Sequence, residues 1–108
     1  MTVSKLAVLM AGLGLLAGAS QASHAADVEA GKAIANTTCL ACHGANGIGI
    51  IPLYPNLAGQ KAEYLEAQLL AYRSGERKNP IMQPMVSGLS DSDIKAVAAY
   101  YSSLHTAP

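Results

Sequence analysis

Cys39-Leu40-Ala41-Cys42-His43 constrains this chain more than any other five residues. Two thiols and an imidazole in a C-x-x-C-H run are the sequence form of c-type haem attachment. The spacing has a physical reason. Cysteines three positions apart reach the two vinyl groups of one haem edge and form thioethers with them. The next residue then lies under the porphyrin plane, where a histidine nitrogen can bond the iron. A chain built this way folds around its cofactor, and the electronic chemistry is that of the haem. Two other readings of the run are weaker. A redox dithiol calls for a βαβ context, which the sequence lacks. A structural zinc site needs four nitrogen or sulfur ligands. Beyond the leader described next, the chain offers only Cys39, Cys42, His43 and the near-terminal His105.

Residues 1–25 read as a secretory signal, cleaved before Ala26. Lys5 is a short positive start, Leu6 to Leu16 an apolar stretch broken by glycines, and Ser23-His24-Ala25 a small-x-small cleavage site. The apolar stretch is too short and too glycine-rich for a membrane span, so no stable membrane insertion is expected after cleavage. Residues 26–108 remain as one small domain. Domains of that size lean on a metal, a disulfide or a cofactor for stability. A covalent haem meets that need, and it supplies apolar bulk to a chain that has no Trp and no Phe. Without Lys5, six basic residues face seven acidic ones. No basic stripe appears, which argues against nucleic acid as a partner.

The remainder reads as helices and loops, with no strand pattern of useful length. Asp27 is expected to cap a helix over residues 28–36, with Ala30, Ala33 and Ile34 on one side. Gly31 is costly inside a helix and points to close approach by another backbone. The C-x-x-C-H run continues as a helical turn. Residues 44–59, with four glycines and two prolines, read as a loop. Its isoleucines, Ile48, Ile50 and Ile51, need something apolar to cover them. Residues 61–74 are the clearest helix, with Tyr64, Leu65, Gln68, Leu69 and Tyr72 at helical spacing and Gly75 as its stop. Residues 81–88 carry Met82 and Met85 in a proline-flanked stretch expected to be non-helical. Ser90 and Asp93 form the acidic variant of a capping box. Ile94, Val97, Ala98, Tyr101 and Leu104 then make one apolar face. Small Ala96, Ala98 and Ala99 allow another helix to come close.

A haem iron held by one histidine has an open side. A thioether there blocks exchange chemistry and raises the reduction potential, the arrangement of an electron carrier. Met82, Met85 and His105 are the candidates. His105, three residues from the end, reads as a solvated terminal side chain. The residues alone leave Met82 and Met85 open.

From Val28 to Leu104 the chain resembles class I cytochrome c. It is most similar to small bacterial periplasmic monohaem cytochromes and to the repeated halves of dihaem cytochromes. The resemblance rests on an ordered set. Glu29-Ala30-Gly31-Lys32 opens the first helix, and Cys39 to Gly44 is the haem run. Tyr54-Pro55-Asn56-Leu57-Ala58-Gly59-Gln60 is the loop after it. Tyr64-Leu65 with Gln68-Leu69 marks the middle helix. Met82, Leu89-Ser90-Asp91, Asp93-Ile94 and Ala99-Tyr100-Tyr101 complete the set. The resemblance implies an all-α fold, three main helices and loops wrapped around one covalent haem c. It implies Met82, seven residues before Leu89, as the second iron ligand beside His43, with Met85 a neighbouring filler. It implies Pro55 as the residue whose carbonyl accepts the proton-bearing nitrogen of the axial histidine. It places Gly31 and Tyr100, with Val97 nearby, at a crossing of the first and last helices, and Arg77 and Asn79 near the haem propionates. One position departs. The large aromatic of many members is Ala35 here, so Tyr101 or Ile34 must fill its space.

The implied function is one-electron transfer in the periplasm rather than catalysis. Redox partner proteins would dock transiently at the haem edge, with the apolar loop from Ile48 to Leu53 as a candidate rim. Two alternatives stand beside it: a cytochrome subunit of a larger periplasmic dehydrogenase, and a haem enzyme with a labile sixth ligand. The sequence leaves the oligomeric state open.

Overall fold

The computed structural model describes residues 23–105, and among them every regular element is helical. The cleavage site expected after Ala25 lies inside the first helical turn described, and the rest of the leader lies outside the described residues. Helix α1 covers residues 23–34. It runs through Asp27, which therefore caps nothing while residues 23–26 continue the helix. Its register also differs from expectation. Ala30 and Ala33 are exposed, whereas Gly31 and Ala35 are buried and Ile34 and Val28 pack against the core. The buried stripe is fixed by the glycine that another helix needs, not by the alanines.

The helical path continues through a wider π turn, Ala35–Cys39, into α2, Leu40–His43. Such turns are rare and gather at functional sites. Here one ends on the first cysteine and leads into the turn that carries the second cysteine and the histidine. Thr37, within it, turns its hydroxyl back to the carbonyl of Ala33 at 2.8 Å.

Residues 44–61 form the expected loop. It is pinned at three places. The Ile50 amide donates to the Cys42 carbonyl at 3.1 Å, and the Gly47 carbonyl accepts the amides of Leu57 and Ala58 at 2.7 and 3.0 Å. The Gly59 amide reaches the Tyr101 carbonyl at 3.0 Å, which ties the loop to the last helix.

Helix α3, Ala62–Ser74, ends at Gly75, whose φ of 83° is the left-handed stop that glycine takes without strain. Helix α4, Met82–Val86, is a correction to the sequence reading, which had this stretch non-helical. Its start explains the difference. The Asn79 side-chain oxygen accepts the amides of both Ile81 and Met82 at 2.9 Å, and the Asn79 carbonyl accepts that of Gln83 at 3.1 Å. Asn79 therefore does the work of a cap, and Pro80 follows where proline is best tolerated. Pro84 falls in the first turn, where no amide is required.

Helix α5, Asp91–Ser103, opens with the expected capping box. Ser90 Oγ accepts from the Asp93 amide at 3.1 Å, and the Asp93 carboxylate accepts from the Ser90 amide at 3.0 Å. Arg73 of α3 bonds the Leu89 carbonyl at 3.0 Å and pairs with Asp91, joining the two helices at one end.

The core lies mainly along α5, where Ile94, Ala96, Val97, Ala98, Ala99, Tyr100 and Tyr101 are all buried. Ala35, Leu65 and Val86 bring the π turn, α3 and α4 onto it. The small residues of α5 make room for α1. A Cβ added to Gly31 would stand 2.0 Å from the Ala96 carbonyl oxygen and 2.9 Å from the Tyr100 Cβ. Ala35 and Tyr101 belong to one buried cluster, and Ile34 packs against it.

Candidate functional site

Helix α2, the loop and helices α3, α4 and α5 enclose one large cavity of about 670 Å³, most of its wall apolar. That is within the size range of small-molecule and cofactor sites. The face of α3 expected from its spacing supplies one wall, through Tyr64, Leu65, Gln68, Leu69 and Tyr72. Val97 and Tyr101 form the back. Cys39, Cys42, His43, Pro55, Met82 and Met85 all border this cavity, although they lie on three separate pieces of chain.

His43 is the single polar or charged residue buried among those described. It comes from the last position of α2. Its Nδ1 lies 2.9 Å from the Pro55 carbonyl oxygen. A carbonyl can only accept, so Nδ1 carries a proton, and in the neutral ring that leaves Nε2 as the nitrogen with the free lone pair. A neutral imidazole with a bare Nε2 is the form that binds a metal. Pro55 presents its carbonyl from the far side of the loop, and the loop's pinning to Cys42 and Tyr101 fixes how far that carbonyl stands from α2.

Cys39 and Cys42 are half-buried free thiols. Burial pushes the Cys39 thiol above its ordinary range, with the neighbouring Tyr101 hydroxyl partly offsetting the effect. The hydroxyl of Tyr101 is buried beside that sulfur and makes no hydrogen bond of normal geometry. The sequence had offered Tyr101 only as packing, and its apolar neighbours at helical spacing concealed the hydroxyl's position.

Of the two methionines, Met82 is half-buried, with its amide held by Asn79, and Met85 is 45% exposed. His105 is exposed and does not border the cavity. Arg77 and Asn79 do border it. The Arg77 guanidinium lies 4.6 Å above the Tyr72 ring and donates to the Gln68 side chain at 2.7 Å. The Asn79 oxygen is committed to α4, which leaves its amide NH₂ as the group that could meet a propionate.

The apolar loop does not close over itself. Leu53 borders the cavity, but Ile50 and Ile51 are 60% and 44% exposed and face a separate shallow hollow with Pro52 and Pro55.

The donor set suits a covalent haem: two sulfurs, an imidazole with a bare nitrogen and two thioethers around an apolar hole. Among the described residues no group of three or more His, Cys, Asp and Glu side chains could hold a metal ion directly. A porphyrin brings four nitrogens of its own and needs no such group.

Known proteins agree. The sequence model of the cytochrome c family matches residues 28–105. Cytochrome c-554(548) of Halomonas halodenitrificans is 58% identical over 69 residues, 61% of this chain and 83% of that protein. The thiosulfate dehydrogenase electron acceptor of Stutzerimonas stutzeri is 45% identical over 69 residues, 61% of this chain and 32% of that protein. The structure of cytochrome c4 from Acidithiobacillus ferrooxidans superposes with a TM-score of 0.69 at 38% identity, covering 73% of this chain and 50% of that one. The chain thus spans half or less of the length of the last two. The C-x-x-C-H run, the cavity it borders and these likenesses place the chain in the cytochrome c family, an electron-transfer protein that carries haem c covalently.

Proposed function

We propose that the chain is an exported carrier of single electrons with one haem, working in the periplasm between redox partner proteins. Haem c supplies the one-electron ferrous–ferric couple. Cys39 and Cys42 would hold it through thioethers. His43 would bind the iron through Nε2, with the Pro55 carbonyl fixing its ring and raising its basicity. Met82 would take the opposite side and raise the potential.

The observation that carries this reading is the meeting of His43, both cysteines and Met82 around one apolar cavity. Deeper burial and the Asn79 bond to its amide favour Met82 over Met85. Export is supported by the pattern of residues 1–25. Exposed Ile50, Ile51 and Leu53 give an apolar patch beside the cavity mouth for brief docking.

Visible spectra of the ferric protein and its variants test the assignment. Met82→Ala should abolish the absorption band from methionine sulfur on ferric haem and lower the potential. Met85→Ala should keep both. The reverse result would move the ligand to Met85.

A second reading, service as the electron-accepting partner of a dehydrogenase, draws on the similarity to a thiosulfate dehydrogenase electron acceptor. Size exclusion of the native periplasmic protein separates the two. A free carrier elutes near its own mass, and a subunit elutes with its enzyme.

A further inference from the structure

Tyr101 is 2% exposed, and its hydroxyl is the one buried side-chain oxygen or nitrogen without a hydrogen-bond partner among the described residues. It borders the cavity, as does Cys39, and Cys39 packs against the core cluster that contains Tyr101. A buried hydroxyl left unpaired costs about 1–3 kcal/mol, so such a group calls for an explanation. Phenylalanine would fill the same space at no such cost. The chain nevertheless has no Phe and places a tyrosine here.

We propose that the Tyr101 hydroxyl donates a hydrogen bond to the Cys39 sulfur in the mature protein and tunes the redox centre through that thioether. The inference rests on the reading that Cys39 carries the haem. The chemistry of the pair supports it. Burial holds the Tyr101 hydroxyl far above the usual phenol range, and the Cys39 sulfur beside it adds to the effect. The group is therefore a permanent neutral donor at every pH the protein meets. Sulfur is a weak acceptor, but no other described group hydrogen-bonds the hydroxyl. The backbone supports the placement as well. The Tyr101 carbonyl is held by the Gly59 amide at 3.0 Å, so the loop fixes α5 at the residue that aims the phenol. A donor on the thioether withdraws electron density from the sulfur and, through it, from the porphyrin. That disfavours the ferric form and raises the potential. Tyr101 is thus a positioning residue acting through Cys39, not an iron ligand.

The test is Tyr101→Phe in the mature protein. We expect a lower midpoint potential, an unchanged methionine–sulfur band and no loss of thermal stability. In a Cys39→Ala background, with haem held by Cys42 alone, the same substitution should leave the potential where it was. A Tyr101→Phe protein with the wild-type potential, or a shift that persists without Cys39, would overturn the proposal. Should either variant fail to mature, proton NMR of the reduced wild-type protein decides. A slowly exchanging Tyr101 hydroxyl proton close to the Cys39 β-protons supports the bond, and its absence refutes it. Intact mass, read on the same samples, shows separately whether Cys39 and Cys42 carry haem at all.

Discussion

The Nδ1 of His43 and the carbonyl oxygen of Pro55 lie 2.9 Å apart across a loop that begins one residue after the histidine. The bond fixes both the tautomer and the ring plane of the buried imidazole before any metal is considered. It is a backbone acceptor, so side-chain substitution at 55 leaves it in place. Pro55→Ala should therefore cost only the proline's restriction of the unfolded chain, about 0.4–1 kcal/mol, and leave the potential nearly unchanged. Urea melts and potentiometry check this. A large potential shift would show that the proline ring itself, and not its carbonyl, orients His43.

Asn79→Ala removes the acceptor for the amides of Ile81 and Met82. A lost cap costs about 1 kcal/mol, and α4 is too short to absorb it elsewhere. The methionine–sulfur band should weaken on warming at a lower temperature than in the wild type, and Asn79→Asp should restore most of the difference. Temperature-dependent spectra read this directly. Equal bands in all three proteins would mean that Met82 is placed without Asn79.

Gly31→Ala should be among the most damaging single-methyl additions possible here. The new Cβ would meet the Ala96 carbonyl, a backbone atom that cannot swing away. Overpacking of this kind costs about 1–3 kcal/mol. Thermal unfolding of the holo form is the measurement. By contrast, Asp91→Asn breaks an ion pair whose carboxylate side is 85% exposed. Such pairs contribute about 0–1 kcal/mol and less in salt, so this variant should melt close to wild type at high ionic strength.

Stripping the haem should unfold the chain. The cavity of about 670 Å³ has a mostly apolar wall that water would wet once the haem is gone. A domain of this size has little stability to set against that exposure. Far-ultraviolet circular dichroism of haem-free protein should show most of the helix content lost. Retained, cooperative helical structure would mean that the cavity closes on itself.

What the sequence made legible follows from how local each signal is. The C-x-x-C-H run, the Ser90–Asp93 box, the Gly75 stop and the α3 face are all written within one or two helical turns. Gly31 was legible as a close approach because nothing else repays its cost in a helix. The failures are places where a distant element decided the outcome. Ala30 and Ala33 looked like the inner side of α1, but α5 packs where Gly31 lets it. Residues 82–86 looked irregular because Pro80 and Pro84 read as breakers. With Asn79 as the acceptor, one proline follows the cap and the other falls in the first turn. Ile50 and Ile51 looked like residues in need of cover and instead stand open to solvent. The π turn at Ala35–Cys39 left no signal, since nothing in Ala-Asn-Thr-Thr-Cys distinguishes it from an ordinary turn.

The most direct test of the whole account is the intact mass of the purified, denatured protein, followed by the mass of the peptide spanning residues 39–43. The account predicts one haem added to the polypeptide, resistant to denaturant and extraction, and carried by both Cys39 and Cys42. A colourless chain of bare polypeptide mass, or two cysteines open to alkylation in the matured protein, would contradict it.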